Sequence, residues 1–169
     1  MIQDTVLRGL TIAASVLMLL FVTAPYAFPY GTFVSLDGAP SVLDHDWSSY
    51  GPMGLVYAMG DILCHQEFDR SFILNGSQMP ICMRDLALLA GSIVGLVVCL
   101  WIRDVLNDRR YLFVGILLLV PTAAEWVAEH MFSMDSPELR IILGIVSGIG
   151  AALIVGHALF RNGSGAEAP

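Results

Sequence analysis

The sequence predicts an all-α polytopic membrane helix bundle, with four transmembrane helices plus one short interfacial or re-entrant helix. Composition is the first reason. Residues of the AVILMFWYC set make up 56% of the 169 residues and charged residues only 14%, and mean hydropathy is +0.73. A soluble domain carries about 25% charged residues, which it needs to cover a hydrated surface. The second reason is length. Four apolar runs each approach the roughly 20 residues that cross a hydrocarbon core of about 30 Å.

The first run extends from about Thr5 to Ala27 and is broken only by small or hydroxyl residues. It reads as a span rather than a cleaved leader. Its only basic flank is Arg8, and Pro25 falls where cleavage would be wanted. Pro25 and Pro29 end the helix, since proline cannot continue it. Residues 28–51 are loop-like, with Gly31, Gly38, Pro40 and the acidic stretch Asp44-His45-Asp46. Met53 to Leu63 is apolar but too short to span, which makes it the interfacial or re-entrant helix. A polar segment, Cys64 to Met79, follows. The second span covers about 82–102, the third about 111–128 and the fourth about 139–160, joined by the turn Arg103–Arg110 and the link Met131–Pro137. Residues 1–162 form a single membrane domain, and the Gly, Ser, Ala and Glu tail 163–169 is disordered.

Charge narrows the partners. Fifteen acidic residues oppose eight basic ones for a net charge of −7, and the chain holds no lysine. That excludes nucleic acid, which needs a basic footprint, and a polybasic grip on anionic lipid. It suits a halophilic archaeon, where carboxylates keep surfaces hydrated. Arginine placement sets the orientation: with cytoplasmic termini, Arg8, Arg103, Arg109, Arg110 and Arg161 lie inside and Arg70, Arg84 and Arg140 do not. A multi-pass protein of the cell membrane with both termini cytoplasmic follows. Residues 28–79 and 131–137 then share the outer side.

One segment carries chemistry. Between Cys64 and Asp85 the chain gathers two of its three cysteines, His65, and two of its eight arginines at a membrane boundary. Cys64, His65, Cys82 and Asp85 offer the soft and borderline donors of a tetrahedral, zinc-like or other transition-metal shell. The adjacency of Cys64 and His65 is unlike the spaced pairs of zinc fingers. A Cys64–Cys82 disulfide on an oxidising outer face, or two plain buried thiols, accounts for the same spacing, and on spacing alone these together outweigh the metal.

Cys64-His65-Gln66, Arg70-Ser71-Phe72 and Gly76-x-Gln78-x-Pro80-x-Cys82-x-Arg84 resemble the signature of the small predicted membrane proteins grouped as domain of unknown function two-thousand-and-eighty-five. A second, weaker block matches around Pro121 to Glu129 and Pro137 to Gly144, and the likeness covers roughly Gly54 to Gly156. The resemblance implies the fold and the membrane location and brings no activity. The family's Cys-x-x-Cys becomes Cys82-Met83-Arg84-Asp85 here, so a carboxylate stands where a third thiolate is expected.

Ionisable groups inside a span are costly and face a cavity or a partner. Glu125 and Glu129, four apart, share a helix face. The expectation is one buried polar cluster in which Arg70, Arg84 and Arg140 pair with Asp85, Glu125 and Glu129, joined by Gln66, Ser71 and Gln78. Gly91/Gly95 and Gly144/Gly148 let helices approach closely, within the chain first and otherwise against a membrane partner or a second copy. Cys99 reads as an apolar filler, His157 as an interfacial residue, His45 as part of a solvated loop, and Trp47, Trp101 and Tyr111 as an aromatic belt. No nucleotide or hydrolase motif is present. Three functions fit: a metal or redox protein, a small ion or solute transporter, and a structural or accessory membrane subunit.

Overall fold

Seven elements follow one another in the computed structural model, which describes residues 2–37, 41–43, 45–132 and 136–161, the side chains of His130 and Phe132 excepted. They are α1 (Ile2–Thr23), α2 (Gly51–Leu63), β1 (Ser71–Leu74), β2 (Ser77–Cys82), α3 (Met83–Trp101), α4 (Arg109–Phe132) and α5 (Pro137–Arg161). Asp44, the side chain of His130 and the expected tail lie outside the described residues. Four helical stretches are long and apolar enough to cross a bilayer: Ile2–Ala27, Met83–Trp101, Arg109–Glu129 and Pro137–Arg161. Their burial runs opposite to that of a soluble protein. Ile12, Leu117 and Ile142 are mostly exposed, while Arg140, Ser147 and His157 are buried, as a lipid solvent requires. The chain is a multi-pass membrane protein.

The chain divides into two compact units, Met1–Ser15 with Ala87–Pro169, and Val16–Leu86. In the first, Leu7, Leu96, Cys99, Leu106, Ala152 and Leu153 make the core. Its helices meet through glycine. A Cβ on Gly91 would meet the backbone of Ile145, and one on Gly148 would meet Leu88 O and the Ser92 nitrogen. One on Gly95 would come within 2.6 Å of Ala152 Cβ. Gly115 and Gly150 bring α4 and α5 together in the same way. In lipid, where apolar burial gives helices no reason to associate, such backbone approach supplies the dispersion that does. The glycine faces of α3 and α5 are therefore occupied within the chain.

In the second unit the polar segment after α2 is not irregular. Asn75 and Gly76, at φ +52 and +67, make the two-residue turn that suits the twist of an antiparallel hairpin. Register runs Leu74↔Ser77 and Ile73↔Gln78, then slips so that Ser71 faces Cys82. The slip falls at Pro80, which has no N–H to give the ladder. Asn75 Nδ2 donates to Pro25 O and Phe28 O at 3.1 and 3.0 Å, tying the turn to the 3-10 segment Ala24–Ala27 that Pro25 opens.

Glycine contact predicts a pair of opposite outcomes. Gly148→Leu should lower the melting temperature in detergent by about 3–10 °C, from an overpacking cost of about 1–3 kcal/mol. Gly9→Ala, with nothing within 4 Å of its Cβ, should leave it unchanged or slightly raised. Equal melting of the two variants would show that the α3–α5 approach is not limiting.

Candidate functional site

The polar residues Gln66, Ser71 and Gln78 of the segment 64–82 build one hydrogen-bonded frame. Gln78 is fully buried. Its Oε1 accepts from Leu36 N–H at 3.0 Å, and its Nε2 donates to Gln66 O, to Ser71 Oγ at 3.2 Å and to Leu36 O at 3.3 Å. Gln66, also fully buried, donates from Nε2 to Pro80 O at 2.8 Å and to Tyr57 O at 3.3 Å. Tyr57 returns a hydrogen bond from its hydroxyl to Gln78 O at 2.9 Å. Burial pushes the Tyr57 phenol up, so it stays a donor. Gly60 leaves the room: a Cβ there would meet Pro80 O and Gln66 Nε2.

This frame fixes the ends of three elements. Cys64 caps α2 in extended conformation with its N–H on Gly60 O at 2.8 Å. Gln66 follows at φ +50, a left-handed turn that is uncommon for a residue with a side chain. Cys82 ends β2, and Asp85 lies in the first turn of α3, where the helix dipole favours a carboxylate. The donor atoms of Cys64, Cys82 and Asp85 all lie within 4.8 Å of one another. All three cysteines are free thiols.

Hydrogen bonds polarise this group. Cys82 N–H donates to Cys64 Sγ at 3.3 Å, and Cys82 Sγ donates to Asp85 Oδ2 at 3.2 Å. The Cys64 thiol is held below its ordinary value, first by the Cys82 S–H and further by the Gln66 N–H, against burial and the Asp85 charge. Cys82 is pushed well up, first by its hydrogen bond with Cys64 and then by burial. Of the two thiols Cys64 is the more readily ionised and Cys82 the less.

The remaining expected residues fall in three places. His65 is exposed beside Cys64 and is not one of the three grouped donors. Arg70 pairs with Glu67 at 2.8 Å on the surface, and Arg84 is half-buried in the first turn of α3. In the other unit Arg140 and Glu129 make a buried ion pair at 2.7 Å. Glu125 is buried on the same face of α4, and Thr122 Oγ1 donates to Leu143 O at 2.9 Å. Thus Thr122, Glu125 and Glu129 form a polar stripe against α5.

Three lesser readings change. Trp47 is not an exposed belt residue but is 7% exposed, with its Nε1–H on Asp61 Oδ2 at 2.6 Å. His45 is not simply solvated, since its Nδ1 lies 3.3 Å from Asp61 Oδ1. His157 is buried rather than interfacial, its Nδ1 2.8 Å from Leu106 O. Asp61 went unread, although it is the single charged residue of an apolar helix.

A multi-pass membrane protein with a thiol and carboxylate group at the foot of a span is the class this geometry defines. The family model described as predicted membrane protein (DUF2085) matches residues 64–154, and the chain belongs to that family. The match begins on Cys64. The uncharacterized protein MJ1492 of Methanocaldococcus jannaschii is 30% identical over 98 residues, which are 55% of this chain and 61% of that protein. The chain thus spans about three-fifths of that relative's length. No solved structure matches it.

Gln78→Leu should strand Leu36 N–H and the carbonyls of Leu36 and Gln66, while Ser71 Oγ keeps its bond to Glu67 O. At about 1–3 kcal/mol for an unmet buried group, the variant should lose about 3 kcal/mol or more, and the hairpin should become the first site of limited proteolysis. An unchanged cleavage pattern would show that the frame does not hold the segment.

Proposed function

We propose that this chain is a metal-binding membrane protein, which holds one thiophilic divalent ion of the zinc type on Cys64 Sγ, Cys82 Sγ and the Asp85 carboxylate. The observation that carries this reading is the convergence of three ligand-type atoms within 4.8 Å from three different elements. Two further features support it. Cys64 accepts N–H hydrogen bonds from Cys82 and Gln66, an environment that favours a thiolate ligand over a plain buried thiol. The donors also stand on backbone held by the side chains of Gln66, Gln78 and Tyr57, which would orient the ligands.

Three protein donors leave one tetrahedral position for water, the arrangement of sites that do chemistry rather than purely structural ones. A metal there polarises a bound water or carbonyl. The mixed sulfur and oxygen set fits a borderline ion better than a hard one such as magnesium. His65, exposed on this frame, stays outside the shell. The acidic, lysine-free composition supports a host that works at high salt. The arginine distribution supports cytoplasmic termini and an outward-facing site.

Elemental analysis of detergent-purified protein should find about one zinc-like ion per chain. Cys64→Ser, Cys82→Ser and Asp85→Asn should each lose it, while His65→Ala should keep it within about threefold. Metal-free wild type with Cys64 and Cys82 oxidised to a disulfide would overturn the reading in favour of a dithiol. For the topology, a carboxy-terminal green fluorescent protein fusion should fluoresce and an alkaline phosphatase fusion should stay silent; the reverse result places the termini outside.

A further inference from the structure

A second site lies in the same unit and uses none of the proposed metal donors. A cavity of about 380 Å³ is lined by Phe33, Leu36, His45, Asp46, Trp47 and Tyr50. The volume suits a small molecule. Three of its six lining residues are aromatic, and their rings are mutually inclined rather than stacked. Phe33 and Trp47 have centroids 5.5 Å apart at 68°, Phe33 and Tyr50 5.1 Å at 64°, and Trp47 and Tyr50 5.8 Å at 53°. Phe33 and Trp47 are buried among these rings and close the wall from behind, while Tyr50 and Asp46 are its exposed members. Among the described residues, Asp46 is the one carboxylate on the wall and no arginine lines it.

We propose that this cavity binds a small alkylammonium or quaternary ammonium cation, with the exposed Tyr50 ring and the Asp46 carboxylate as its principal contacts and the buried Phe33 and Trp47 behind them. Ring faces carry negative quadrupole potential and attract a diffuse cation whose methyl groups also bury well against them. A neutral apolar ligand would gain from the rings but nothing from Asp46.

The walls are held in place by a buried carboxylate. Asp61, 3% exposed, takes the Trp47 indole N–H at 2.6 Å, the His45 backbone N–H at 3.3 Å, and His45 Nδ1 at 3.3 Å. It therefore orients two of the lining residues and adds negative potential behind them. Asp61 is a positioning residue. Asp46 is fixed as well: its Oδ1 accepts from Ser48 Oγ at 2.6 Å and Ser48 N–H at 3.0 Å. These bonds hold its carboxyl below the usual range, so it stays ionised in mildly acidic solution. Tyr57, stacked on Trp47 at 27° and 5.2 Å, backs the indole from the protein side.

The ammonium has two possible sources, a lipid headgroup in the bilayer or a free organic cation. Their recognition chemistry is the same.

The test is ligand-observed NMR on the full chain in nanodiscs of phosphatidylglycerol, with choline as the cation and 3,3-dimethyl-1-butanol as its uncharged isostere. Choline should bind with Kd on the order of 1 mM, and the isostere about tenfold weaker or worse. Asp46→Asn keeps the acceptor for Ser48 and removes only the charge; it should weaken choline about tenfold. Tyr50→Ala should do the same, while Tyr50→Phe should retain binding within about twofold. Asp46 and Tyr50 are exposed, so both variants should fold, and unchanged wild-type melting checks this. Repeating the titration in phosphatidylcholine nanodiscs separates the sources. Weaker apparent choline binding there assigns the site to the headgroup, and unchanged binding assigns it to a free cation. Equal affinity for choline and its isostere, or no choline binding up to about 50 mM, overturns the proposal.

Discussion

The segment around the proposed metal site depends on two buried glutamines. A primary amide brought out of water without partners costs several kcal/mol, so Gln66 and Gln78 are tolerable only because the backbone is arranged around them. Gln78 bonds both groups of Leu36, and Gln66 bonds the carbonyls of Tyr57 and Pro80. Each amide thereby joins strands of chain far apart in sequence: residue 36 to residue 78, and α2 to β2. The bulge at Pro80 and the left-handed Gln66 are consequences of the same frame. Pro80 gives the hairpin no N–H, yet its carbonyl is where Gln66 ends. The positive φ of Gln66 costs of order 1 kcal/mol, offset by the bonds its side chain makes once the chain has turned. A two-stranded hairpin alone is marginal in water; here it is an extension of this polar core, and its last residue, Cys82, inherits the rigidity.

The other unit solves a different problem. Its helices must associate where lipid is as apolar as their own side chains, so shape and polarity do what burial does in water. Glycine contacts between α3 and α5 and between α4 and α5 supply shape. Thr122, Ser147, Glu129 and Arg140 supply polarity. A buried ion pair adds little net stability over an apolar pair of the same size. Its sharper effect is on register, because sliding α4 by one residue along α5 would leave Arg140 and Glu129 each buried beside the wrong group.

Much of this was legible in the sequence, and the reason differs by level. Spans are legible because a bilayer imposes a length and a composition on every one of them, and α1, α3, α4 and α5 each satisfy both. The helix Gly51–Leu63 was legible as a helix too short to cross. The hairpin was missed although Asn75-Gly76 is a strong two-residue turn signal, because its flanks do not alternate: Ser77 to Ile81 are all buried, covered on both faces, and read as merely polar. Asp61 was missed because its partners, Trp47 and His45, lie 14 and 16 residues away in a loop with no period. Cys64, Cys82 and Asp85 were legible as a set of donor types. Which donors converge was not, since that follows from a slip in strand register at one proline. His65, adjacent in sequence to Cys64, points elsewhere because a side chain's neighbour in the chain is seldom its neighbour in space.

Asp85, which stands where the resemblance leads one to expect a second cysteine, bears on what the proposed site could do. Three thiolates would carry three negative charges, hold a soft ion tightly and lower its Lewis acidity by donating electron density. Two sulfurs and a carboxylate would hold the proposed ion through a harder, less donating ligand, and would leave more positive charge on it for a fourth group. Asp85 also sits in the first turn of α3, the end of a helix at which an acidic residue is well placed. The frame of Gln66 and Gln78 makes no contact that requires a thiol at position 85. Substitution at position 85 would change the donor set of the proposed centre while leaving the Gln66 and Gln78 frame intact.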